Sequence, residues 1–106
     1  MVRREDLANA VADAARAVPG VARLNHEGLV EISTQFAGGK VLGVRLLGDR
    51  AEVHIVANRG PLPQVADNVV AAVSAVLDAA GEPRPVTVVI DDITTEAADR
   101  RARALR

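Results

Sequence analysis

The chain has 106 residues, a formal net charge of −1, no cysteine, and a single aromatic residue, a phenylalanine. That length predicts one domain with a thin aliphatic core, and the absent cysteines exclude disulfides, thiolate chemistry and cysteine-ligated metals. The near-neutral charge argues against broad electrostatic capture of nucleic acid, which needs a strongly basic face.

Leu7, Val11, Ala14 and Val18 recur at helical spacing. Residues 4–18 are therefore expected to form an amphipathic helix buried along that stripe, with Asp6 as its cap. Pro19 and Gly20 end it. Residues 21–28 read as a connection. Residues 29–36, "LVEISTQF", alternate as a weak strand with Val30, Ile32 and Thr34 on one face. The glycines of "AGG", 37–39, loosen the chain before "KVLGVRLLG", 40–48, and "AEVHIVAN", 51–58. These two runs predict a hairpin turning at Asp49 and Arg50. Leu42, Val44 and Leu46 are expected on the core face of its first strand, with Val41, Arg45 and Leu47 on the other. Val53, Ile55 and Ala57 are expected on the core face of the second, with Glu52, His54 and Val56 opposite. A helix over 62–80 follows, buried along Leu62, Val65 or Ala66, Val69, Val73, Val76 and Leu77. "GEPRP", 81–85, stops it, and "VTVVIDDI", 86–93, is the last strand. Thr94 or Thr95 would cap a short C-terminal helix.

This order predicts an α/β two-layer sandwich: a small, mostly antiparallel sheet with two helices on one face, in the order α-β-β-β-α-β. The strand from 86 is expected to return beside an earlier one after the crossover helix. Residues 1–95 are expected to form the domain. Residues 96–106 form a basic tail or helix carrying Arg100, Arg101, Arg103 and Arg106 against Glu96 and Asp99. The N-terminal segment is punctuated by charge and does not read as a signal peptide. No apolar run approaches the roughly 18 residues of a membrane span.

The residues that could carry chemistry do not assemble in the sequence. His26 and His54 are the only histidines, far apart and without metal-ligand spacing. Asp91 and Asp92 are adjacent in a strand, so they face opposite sides unless the backbone bends. Ser33, Ser74 and the threonines show no nucleophile arrangement. "ANRGPLPQ", 57–64, places one glycine between a strand and a helix. It lacks the further glycines of a phosphate loop, and Pro61 and Pro63 remove donors that an anion would use. No two glycines stand three apart, so the GxxG clamp of a KH-type nucleic-acid binder is missing, and no aromatic platform replaces it. No catalytic, cofactor or metal residue is expected.

Three stretches together resemble the alkaline shock protein family, the envelope-stress-response proteins of Gram-positive bacteria. They are "AARAVPGVARL", 14–24, "VHIVANRGPLPQVADNVVAAVSAVL", 53–77, and "PRPVTVVIDDI", 83–93. Within them Val18, Pro19, Gly20 and Val21 match the family's first marker, and Gly60, Leu62, Pro63, Val65 and Ala66 its second. The chain departs from the family in Asn58 and Arg59, where an aromatic is common, and in "AAGEP" at the helix end. The resemblance implies a non-enzymatic accessory or scaffold protein. It would be cytoplasmic, binding a small membrane-anchored partner at the inner face of the membrane, or copies of itself. No functional residue transfers with it.

The residues themselves leave apolar positions on the sheet face away from the helices. Leu47 and Val56 are the expected interface residues there, and Arg100, Arg101 and Arg103 are further candidates for docking an acidic partner or surface. The alternatives are a KH-like nucleic-acid-binding domain without its GxxG loop, and a small ligand-binding or enzymatic domain.

Overall fold

The computed structural model describes residues 2–25 and 31–94. His26, Val30, Thr95 and the basic tail with Arg100, Arg101 and Arg103 lie outside the described residues.

The described elements are α1 (Arg4–Arg16), β1 (Val21–Leu24), β2 (Ser33–Phe36), β3 (Gly39–Leu42), β4 (Val44–Leu46), β5 (Ala51–Ala57), α2 (Leu62–Ala79) and β6 (Val86–Ile93). The two-layer α/β arrangement is as expected, with two helices over a mostly antiparallel sheet. β5 is its axis. β6 runs parallel along one edge of β5, joined to it through α2. β1 and β4 share the other edge, both antiparallel, with β4 beside Ala51–Val53 and β1 beside Ile55–Ala57. β2 and β3 form a separate two-stranded hairpin.

The strands differ from the sequence expectation at two places. The stretch 21–28 was expected as a connection, but residues 21–24 form β1. Four residues were too few to show alternation, and they become a strand because the C-terminal half of β5 offers an open edge. The stretch 40–48 was expected as one strand, but it breaks at Gly43 into β3 and β4. Gly43 has φ +83, and a Cβ on it would stand 2.6 Å from the Leu24 Cβ. Only glycine meets both demands. The break resets the alternation, so Val41 is buried in the core while Leu42 is only half-buried. Main-chain bonds carry the sheet across this junction: the His54 N–H donates to the Gly43 carbonyl, and the Asn25 N–H donates to the His54 carbonyl.

The core lies between the sheet and the helices. α1 contributes Leu7, Ala8, Val11, Ala12 and Ala15, so its stripe passes beside Ala14 rather than through it. Asp6 does not cap this helix. It sits with Glu5 in the first turn, where negative charge favours the helix dipole, and Arg3 holds the cap position. α2 buries Val65, Val69, Val73 and Leu77, one residue per turn. α2 begins after the cis Gly60–Pro61 peptide, with Pro63 in its first turn. It ends at Gly81, where the Glu82 N–H donates to the Leu77 carbonyl and the Gly81 N–H to the Asp78 carbonyl, the paired bonds that close a helix C-terminus.

Among the described residues, one polar side chain sits inside. Thr34 is 1% exposed. Its Oγ1 donates to the Val44 carbonyl at 2.7 Å and accepts from the Leu46 N–H at 3.1 Å. β4 pairs with β5 on one edge only, and Thr34 of the hairpin satisfies main-chain groups on the other.

Candidate interaction surface

Alternation along β5 sends Val53 and Ile55 toward the helices and Glu52 and His54 to the opposite face. A charged network spreads from these two residues across three strands. Glu52 accepts from Arg50 Nε at 3.3 Å and lies 3.5 Å from Arg45 Nη1 on β4. His54 Nδ1 is 3.0 Å from Asp91 Oδ2 on β6, and His54 Nε2 is 3.9 Å from Glu52 Oε2. Asn25, just beyond β1, donates its side-chain amide to the same Asp91 oxygen at 2.9 Å.

Asp91 reaches this cluster because β6 bulges. Ile55 pairs with Ile90 but Val56 pairs with Asp92, which leaves Asp91 as the extra residue. The backbone bend that two adjacent carboxylates would need is therefore present. It does not bring both to one point. Asp91 turns to His54, while Asp92 Oδ1 accepts from the next main-chain N–H, that of Ile93.

The chemistry of the cluster is that of a clip. A general base needs a ring nitrogen directed at substrate. Here both ring nitrogens of His54 face carboxylates, and the side chain is 15% exposed. Among the described residues no group of three or more His, Cys, Asp or Glu side chains is placed to hold a metal ion. Each carboxylate of the cluster already has a partner from another strand or a nearby turn, so the network ties β1, β4, β5 and β6 together on the face opposite the helices.

Leu47 and Val56 do not form a patch. Val56 is corrected outright as a surface residue: it is 1% exposed. Alternation set the direction of its side chain but could not show what covers it. Its neighbours bulge on both sides, in β1 between Val21 and Arg23 and in β6 at Asp91. Leu47 is half-buried at the opposite end of β5, on the turn after β4. Its N–H donates to the Arg50 carbonyl, and its own carbonyl accepts from Arg84 Nη1 at 2.7 Å. Arg84 also pairs with Glu82, and Arg4 donates to the Leu46 carbonyl. Together these side chains line a small cavity of about 130 Å³ beside Leu7.

Among the described residues, half-covered apolar surface lies on β6. Val86, Val88 and Ile90 pack toward the core but remain half-buried, as do Ala72, Val76 and Ala80 of α2. Ile93, at the end of the strand, is 58% exposed. Among the described residues β6 pairs with β5 alone. The sequence hinted at this edge only through "PRPV", since prolines flank edge strands.

No family model matches the chain, and no curated protein matches it. A solved chain described as MamM CTD is similar in structure, with 19% identity and a TM-score of 0.47 over 83% of this chain and 95% of that one. A likeness of that size carries no functional statement. Among the described residues, no helix is long and apolar enough to cross a membrane.

Proposed function

We propose that this chain is a non-enzymatic accessory or scaffold protein that acts by binding other proteins. Its proposed setting is the bacterial envelope stress response or homeostasis, on the cytoplasmic side, where a small membrane-anchored partner holds it at the membrane. One observation supports the protein-binding part: Val86, Val88 and Ile90 of β6 stay half-covered beside a strand edge that no other strand meets among the described residues. Such an edge is a template for another chain. The carboxylates and the histidine of the opposite face are engaged with one another, which suits a scaffold better than a reactive centre. The cellular setting rests on the resemblance of residues 14–24, 53–77 and 83–93 to the alkaline shock family.

The test is affinity capture of the full chain from native cell extract, with the recovered proteins identified by mass spectrometry. Repeated recovery of a small membrane-anchored protein is the expected result. Recovery of ribosomal or RNA components in its place would overturn the reading in favour of a KH-like nucleic-acid binder. Enrichment of nothing beyond a control resin would overturn it as well.

A further inference from the structure

The open edge of β6 is self-complementary, and we propose that it pairs antiparallel with β6 of a second copy of this chain, with the two-fold axis at Val88. This deepens the protein-binding reading by naming one partner.

The main-chain bonds define which groups are free. The Ala51 N–H donates to the Pro85 carbonyl, and Ala51 is the register partner of Val86. Pro85, Thr87 and Val89 therefore turn their main-chain groups toward β5. Val86, Val88 and Ile90 turn theirs away from it. Among the described residues no other strand meets them. The free stretch begins with the strand itself at Val86 and ends at the bulge at Asp91.

Those limits select one register. In an antiparallel pair, residues directly opposite either exchange both main-chain bonds or exchange none. An axis at Val88 sets Val88 opposite Val88, and Val86 opposite Ile90 in both directions. Every outward N–H and C=O of the stretch is then used. Moving the axis to Thr87 sets Ile90 opposite Arg84, ahead of the strand, and moving it to Val89 sets Val86 opposite Asp92, beyond the bulge. Charge favours the same arrangement. Asp91 and Asp92 of one copy come to the Arg84 and Pro85 end of the other, whereas a parallel in-register pair would stack the carboxylates.

The side chains agree with the pairing. Val86, Val88 and Ile90 of the two copies meet on the helix face. The half-covered band becomes the middle of one core under a continuous sheet. On the opposite face Thr87 stands across from Val89 of the second copy. Neither residue carries a charge that would oppose the approach.

The test uses sedimentation of the full chain together with two kinds of variant. The unmodified chain is expected to sediment at twice its 11.1 kDa mass. Thr87→Lys with Val89→Lys places like charges opposite each other and is expected to give the single-chain mass with an unchanged circular dichroism spectrum. Thr87→Glu with Val89→Lys restores an opposite-charge pair across the junction and is expected to recover the dimer. The chain has no cysteine, so Val88→Cys reports register directly. Oxidation is expected to join two copies through Cys at that position, while Thr87→Cys, offset from its own copy, is expected to stay single. A chain that sediments as a monomer at its highest soluble concentration would overturn the proposal. So would a dimer or larger assembly that survives the paired lysines. A monomer that still captures a separate protein would overturn the dimer and leave the protein-binding reading standing.

Discussion

Thr34 shows how one residue can hold two sheets in register. Its hydroxyl is the partner of both the Val44 carbonyl and the Leu46 N–H in a buried position. Thr34→Val keeps the shape and removes both bonds, so it is expected to cost about 1–3 kcal/mol through the unsatisfied main-chain groups. Thr34→Ser is expected to recover part of that. Urea unfolding measures both. Asp91 makes a second case, since it accepts from Asn25 and His54 across three strands. A double-mutant cycle of Asp91→Ala with His54→Gln is expected to return a coupling of about 0.5–1 kcal/mol. Zero coupling would remove the clip as an account of this network. Neither contact could be read from the sequence. The sequence groups Thr34 with Ile32 on one face of a strand, but a buried threonine looks like any β-branched strand residue until its acceptor is in place. Asp91 and Asn25 stand 66 residues apart in the chain, and only the bulge in β6 brings them together.

At the scale of elements, the helices were legible and the short strands were not. α2 spans Leu62–Ala79 against an expected 62–80 because its apolar residues recur every turn for 18 residues. β6 matches its expected limits because prolines precede a run of β-branched residues. β1, with four residues, has no such signal. The break at Gly43 was also hidden, since a glycine inside an apolar alternation can sit in a regular strand. What decides the break is the approach of Leu24, which belongs to tertiary structure. Gly43→Ala is accordingly expected to cost about 2–4 kcal/mol, from the positive φ and the clash with Leu24. A chemical melt that moves by less than the error of the measurement would argue that the junction relaxes freely. Leu77→Ala, at a fully buried position in the last turns of α2, is expected to cost about 2–5 kcal/mol, the usual range for a core cavity. Thermal unfolding followed by circular dichroism checks it.

For the whole molecule the important property is an asymmetry between the two edges of β5. One edge is filled by β1 and β4 in tandem, both short, with β1 bulged between Val21 and Arg23. The other is occupied by β6, which among the described residues is an edge itself. The dimer proposed through that edge predicts one further solution property. Unfolding of the unmodified chain is expected to depend on its concentration, with the melting temperature rising as protein is added, while the Thr87→Lys, Val89→Lys variant melts at a constant temperature. A scan across protein concentration by differential calorimetry reads both.

The sequence by itself determined the class of fold, the two helices, the last strand, and the lack of any motif for catalysis, metal or phosphate. Those features depend on period and composition, which are local and survive without knowledge of contacts. Tertiary structure alone decided three things. It split one expected strand in two at Gly43. It buried Val56 among bulged neighbours. It moved the unfinished apolar surface from the face of the sheet to its β6 edge. Each depends on which segment fills the space beside another, and alternation along one strand carries no information about its neighbours.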